Sequence, residues 1–152
     1  MNVTGSLTTT TPVAGLRSLA TAPDLLSSVS TLRDVRAGAP GVVHAVFSPV
    51  IALGRIPLVT TITTVEESDA GAALHVVGRR GVQSVDVALA LRFTPAEAGT
   101  VIDWSAEVVV RGNAASVGQR VARDIAARAI GQVLAEAATA AASATPAAAG
   151  AR

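Results

Sequence analysis

The 152-residue chain has no cysteine and no lysine, and Phe47, Phe93 and Trp104 are its only aromatic residues. Without cysteine there are no disulfides, thiolate metal ligands or cysteine nucleophiles, and the redox compartment stays open. With so little aromatic volume, a closed interior must either collapse tightly or keep unfilled space. Twelve arginines are nearly cancelled by eleven acids, leaving a net charge of +1 and no strong field for nucleic acid. No apolar run reaches the roughly 18 residues of a spanning helix. The Ala-rich C-terminal part is broken by Glu136, Thr139, Ser143 and Pro146. Residues Met1 to Thr11 alternate polar and apolar side chains instead of forming the basic start and apolar core of a signal peptide, so no secretion is implied.

What is present is aliphatic: half of the residues are hydrophobic, mostly Ala and Val, and the length suits one domain with a single core. Residues 2 to 11, rich in β-branched side chains, predict a strand closed by Pro12. Two short helices follow, one near Val13 to Ala20, weakened by Gly15, and one starting at Pro23 with Asp24 near its positive end. From Leu32 to Arg111 the turn signals at Gly38 to Gly41, Glu67 to Gly71, Arg80 to Gly81 and Pro95 to Gly99 leave room for six strands. The clearest is Ser84 to Phe93, with Val85, Val87, Leu89, Leu91 and Phe93 on one face and Ser84, Asp86, Ala88, Ala90 and Arg92 on the other. In the next strand Ile102, Trp104, Ala106, Val108 and Val110 share a face opposite Asp103, Ser105 and Glu107. Two neighbouring strands of this kind make an antiparallel sheet with one dry side.

After Gly112 and Asn113 the period changes from 2 to 3.6, predicting a long helix from Ala114 to about Ala138. Val117, Val121, Ile125, Ala129 and Val133 form its expected buried stripe, with Gly118 and Ala122 inside it; Ile130 and Leu134 fall on a less buried flank. Residues 139–152 are too poor in bulky side chains to offset the entropy of ordering them and are expected to form a flexible tail beyond a 1–138 domain. The alternative is an Ala-driven continuation of the helix as far as Ser143.

The order of strand, two short helices, six strands and long terminal helix resembles the START-like, or polyketide-cyclase (SRPBCC), superfamily. Within it the chain is similar to the CoxG family of carbon monoxide dehydrogenase subunits. The resemblance rests on Pro23-Asp24-Leu25-Leu26, on Gly54-Arg55-Ile56-Pro57 before a strand, and on the stretch from Trp104 through Gly112, Gly118 and Leu134. The chain departs from the family pattern after the second helix, where Ser27-Ser28-Val29-Ser30-Thr31 replaces a Pro-Gly pair, and where Val133 and Leu134 replace phenylalanines. The resemblance implies an α+β helix-grip fold: a curved antiparallel sheet of about seven strands around the C-terminal helix. It also implies a carrier of a lipid or respiratory quinone, accessory to a molybdenum hydroxylase of the carbon monoxide dehydrogenase type, cytoplasmic and peripheral to the inner face of the membrane.

The expected groove lies where the helix faces the sheet, walled by Val87, Leu89, Leu91, Phe93, Ile102, Trp104 and Val108 from the strands and by Gly118, Val121, Ala122, Ile125 and Ala129 from the helix. Ordinary helix-on-sheet packing would produce the same alternation. The small helix residues and the resemblance favour a held-off helix with an apolar molecule in the gap. Catalytic candidates are scarce. Asp86, Asp103 and Glu107 fall on polar strand faces, leaving His44 and His75 as the bases that a cyclase or dehydratase alternative would use. The two histidines make no metal site. The Arg79-Arg80-Gly81 turn reads as a solvated hairpin tip, or as a weak contact for anionic headgroups or an acidic partner. A third alternative is a ligand-free assembly module with a filled core, acting through its surface. The favoured expectation is a non-enzymatic binding protein with no covalent cofactor and no nucleic-acid partner.

Overall fold

The computed structural model describes residues 1–17, 19, 22–51, 54–55, 57–112 and 119–150, with backbone alone for 50–51, 54–55, 119 and 143–150. The chain runs β1 (Asn2–Thr9), α1 (Val13–Leu16), α2 (Pro23–Leu26), β2 (Leu32–Ala37), β3 (Val42–Phe47), β4 (Val50–Ile51), β5 (Gly54–Arg55), β6 (Leu58–Ser68), β7 (Gly71–Arg80), β8 (Gln83–Ala96), β9 (Gly99–Arg111) and α3 (Gln119–Gly150). Seven strands form one antiparallel sheet in the order β1-β9-β8-β7-β6-β3-β2, and β4 and β5 pair separately. This is the helix-grip arrangement expected from the alternation of residues 84 to 110 and the change of period after it.

Local chemistry explains most boundaries. The β7–β8 turn is only Gly81-Val82, and Gly81 has a φ of +61°, a left-handed conformation that costs glycine little. Leading β1 out of the sheet, Thr11 turns inward and is completely buried, its Oγ1 donating to the Ala138 carbonyl at 2.7 Å while its own carbonyl accepts from Thr100 Oγ1 at 2.8 Å. The strand therefore ends at Thr9, two residues short of the expected end. Gly15 leaves α1 a single turn, Val13–Leu16, whose Leu16 is nonetheless buried.

One face of the sheet is dry. Val3, Val43, Ile62, Leu74, Leu89, Ile102, Ala106 and Val108 are buried on it, beneath α1, α2 and α3. Bulges between Arg33 and Arg36 in β2 and between Thr64 and Glu66 in β6 interrupt the ladders, as bends in a wrapping sheet require.

The helix α3 buries a different face from the expected one. Leu134, Ala137, Ala138 and Ala141 are buried, whereas Val121 is 50% exposed. Residues spaced by four advance about 40° per step around a helix, so a stripe drawn through Val121, Ile125, Ala129 and Val133 turns through about 120° from end to end. Only its C-terminal members reach the sheet side, and Leu134, assigned to a flank, is core. The expected start of the helix, Ala114, and the first expected members of the stripe, Val117 and Gly118, lie outside the described residues. Past Thr139, where a flexible tail was the expectation, α3 continues to Gly150 and Ala141 is 1% exposed. Alanine's low cost of helix formation favours this continuation.

Candidate functional site

Between the sheet and the three helices lies a cavity of about 200 Å³. Strand β6 contributes Thr60, Ile62 and Thr64, β7 contributes Ala72, Leu74 and Val76, and β8 contributes the alternate residues from Val85 to Phe93. Ile102 and Val108 of β9, Leu32 of β2 and Phe47 of β3 complete the sheet wall. The opposite wall is Leu16, Leu19 and Leu26 from the short-helix region, with Ala126, Ala129, Ile130, Val133, Leu134 and Ala137 from α3. The alanines leave the space and the larger aliphatics border it. Thr60, buried in this wall, spends its hydroxyl on the Leu58 carbonyl at 2.9 Å.

Among the lining residues only Arg17, Glu67 and Ser68 are exposed, so they mark the mouth. Glu67 reaches it because of the β6 bulge. Thr60, Ile62 and Thr64 face the cavity at every second position, and the extra residue between Thr64 and Glu66 shifts the pattern so that Glu67, opposite Ala72, is next on that side. Arg17 crosses the mouth from the end of α1 and donates from a terminal guanidinium nitrogen to Asp69 Oδ1 at 3.0 Å, in the β6–β7 turn.

Of the residues expected to wall the groove, Val87, Leu89, Leu91, Phe93, Ile102, Val108 and Ala129 line this cavity. Trp104 does not. It is 6% exposed in the core, and its indole lies over Gly5 of β1, where a Cβ would sit 2.5 Å from the ring. Val121, Ala122 and Ile125 are also absent from the lining, because the stripe rotates away from the sheet toward the N-terminal end of α3, and Gly118 is outside the described residues. Ile130 and Leu134, read as a flank, belong to the wall. The contributions of β2, β3, β6 and β7 lie outside that expectation, although Ile62, Leu74 and Val76 carry the same period-2 signal as β8.

Neither histidine lines the cavity. His75 is half-exposed on the outer face of the sheet, its Nε2 hydrogen-bonded to Asp86 Oδ1, and His44 Nδ1 lies 3.3 Å from Thr61 Oγ1. A cyclase thus lacks the base that either imidazole would have supplied. No group of three or more potential metal-ligating side chains exists among the described residues. A further polar anchor joins α3 to the α2–β2 loop: Ser30 donates to Glu136 through its backbone N–H at 2.7 Å and its hydroxyl at 3.0 Å. The Ser30 backbone N–H in particular, with help from Gln132 and the Ser30 hydroxyl, holds the Glu136 carboxyl below its ordinary value, against a smaller opposing effect of burial.

Comparison with known proteins supports this architecture. The fold is similar to that of a conserved protein from Geobacillus kaustophilus, with a TM-score of 0.81 and 19% identity over 94% of this chain and 96% of that one. It is also similar to Ara h 8.0201, with a TM-score of 0.61 and 14% identity over 92% and 97% of the two chains. A third similar structure is the di-domain ARO/CYC StfQ from the steffimycin biosynthetic pathway, with a TM-score of 0.65 and 11% identity over 95% of this chain and 52% of that one. At these identities the likeness is one of fold. No curated protein matches the sequence significantly. The model of the CoxG family of carbon monoxide dehydrogenase subunits matches residues 41–142, two thirds of the chain from β3 well into α3, and the protein belongs to that family.

Proposed function

We propose that this protein is a non-enzymatic binding protein that holds the apolar part of a lipid or respiratory quinone in the cavity between sheet and α3. The observation that carries this reading is an interior wall built from aliphatic side chains, Phe47, Phe93 and the two threonines Thr60 and Thr64, with the polar and charged residues Arg17, Glu67 and Ser68 at the mouth. Such a wall offers hydrophobic contact and no group placed for proton transfer. Covering about 200 Å² of ligand hydrocarbon at about 25 cal/mol per Å² contributes about 5 kcal/mol before the costs of association, which suits reversible carriage.

Size constrains the ligand. A cavity of about 150 Å³ holds a benzene molecule. This one, at about 200 Å³, accommodates a short stretch of acyl or isoprenoid chain, with the rest of a longer ligand outside the mouth. The role as accessory to a molybdenum hydroxylase of the carbon monoxide dehydrogenase type rests on the family description. No helix among the described residues is long and apolar enough to cross a membrane. The membrane contact in this scheme is peripheral, at the cytoplasmic face, and rests on the family resemblance. The open cavity argues against the alternative of a filled assembly module.

The test is native mass spectrometry of the purified full chain together with organic extraction. Recovery of a stoichiometric apolar molecule is expected. A protein that carries none and takes up none when offered short-chain lipids or quinones overturns the proposal.

A further inference from the structure

The mouth of the cavity differs from its interior in chemistry and charge. Arg17, Glu67 and Ser68 line it, and Asp69 holds the guanidinium from the β6–β7 turn. Two carboxylates and one guanidinium leave one net negative charge there. The surrounding end of the sheet adds to it. Glu66 and Glu97 also sit at this end, and Asp103 registers with Arg92 on the outer face, whereas Arg33, Arg79, Arg80 and Arg111 are gathered at the opposite end. A molecule entering tail first therefore brings its head to an acidic rim.

That rim nevertheless offers hydrogen bonds. One guanidinium N–H is used on Asp69, which leaves others for an acceptor. The Ser68 hydroxyl, which accepts from the Ala70 N–H at 3.1 Å, keeps its proton for donation. The Arg17–Asp69 pair has side chains 50% and 80% exposed, so parting it for a ligand costs little. Resting on the reading that the cavity holds an apolar tail, we propose that Arg17, Glu67, Ser68 and Asp69 form a head-group subsite that selects amphiphiles with an uncharged hydroxyl or carbonyl head and rejects carboxylate heads. An uncharged head hydrogen-bonds to Arg17 and Ser68 without repulsion. A carboxylate meets two like charges, Glu67 and Asp69, against the single positive charge of Arg17.

The test compares octanol with octanoate, which share a chain length suited to the cavity, as competitors for the uncharged fluorescent probe N-phenylnaphthylamine bound to the full chain at neutral pH and low salt. Octanol is expected to displace the probe at about tenfold lower concentration than octanoate. The double variant Glu67→Gln, Asp69→Asn should bring the two within about twofold by improving octanoate alone, and Arg17→Gln should widen the gap. If either variant fails to fold by circular dichroism, wild-type protein at high salt replaces it, because screening should narrow the gap in the same way. Equal competition in the wild type, or a gap unmoved by both the neutralised acids and salt, overturns the head-group subsite while leaving the apolar cavity standing. Failure of the probe to bind, or of both competitors to displace it, overturns the cavity reading and this proposal together.

Discussion

Gly5 of β1 and Trp104 of β9 are register partners, and the indole of Trp104 lies so close over Gly5 that a Cβ there would stand 2.5 Å from Cε2 and Cζ2 of the ring. The largest side chain in the protein is thus spent on packing β9 against β1, not on walling the cavity. Replacing Gly5 by Ala forces the ring to move in a close-packed core, and a destabilisation of about 1–3 kcal/mol is expected. Urea unfolding followed by the fluorescence of this single tryptophan measures the stability and the ring's environment together. An unchanged midpoint and spectrum would refute the contact.

The face that α3 buries makes a second prediction. Leu134 is 8% exposed in the core cluster with Leu74, Leu89 and Val108, and Val121 is 50% exposed. Leu134→Ala should cost about 2–5 kcal/mol, and Val121→Ala should stay within about 0.5 kcal/mol. Comparable losses in the two variants, measured by denaturant unfolding, would place the buried stripe where the i+4 series through Val121 puts it.

Ala129 borders the open space, so Ala129→Leu adds its methyl groups to a cavity and not to a filled core. Stability should hold or rise, in contrast with the loss of about 1–3 kcal/mol typical of overpacking. Binding of an uncharged apolar probe should fall several-fold. Probe titration and thermal melting of the same sample separate the two effects, and a fall in stability with unchanged binding would contradict the geometry.

Glu136 provides a pH-dependent contact between α3 and the α2–β2 loop. Its carboxyl is held below the ordinary value of 4.5, chiefly by the Ser30 backbone N–H. A depressed folded-state value means that the carboxylate contributes stability above its unfolded value, and that the contribution disappears as pH falls through the folded one. Glu136→Gln should therefore be less stable than wild type near neutrality, with the difference shrinking as pH drops below about 4.5. Melting temperatures across acid pH give the comparison. A difference that persists unchanged into strong acid would show that the hydrogen bonds of Ser30 do not depend on the carboxylate's charge.

Much of the fold was legible in the chain because alternation acts locally. Residues 84 to 93 and 101 to 110 place their apolar side chains on one face whatever the rest of the protein does, and the glycines at the turns permit the reversals between strands. The cavity was legible to the extent that it depends on those faces: Val87, Leu89, Leu91, Phe93, Ile102 and Val108 reach it by strand parity alone. Parity also explains the omission of Glu67, since a bulge in β6 shifts by one the residues that face inward. That displacement is decided by pairing with β7 and by bending of the sheet, neither of which leaves a mark in the local pattern.

The sequence by itself determined a helix-grip architecture, an aliphatic interior poor in aromatic volume, and the scarcity of catalytic side chains, since these follow from residue type and short-range period. Only the tertiary structure decided which flank of α3 faces the sheet, that Trp104 packs over Gly5, and that Arg17 and Glu67 meet at one mouth. Each of these depends on the rotation or register of one element against another, set by contacts between residues far apart in the chain. A helical stripe or a strand parity can be drawn from sequence, but its phase relative to a distant partner is set only when the two pack together.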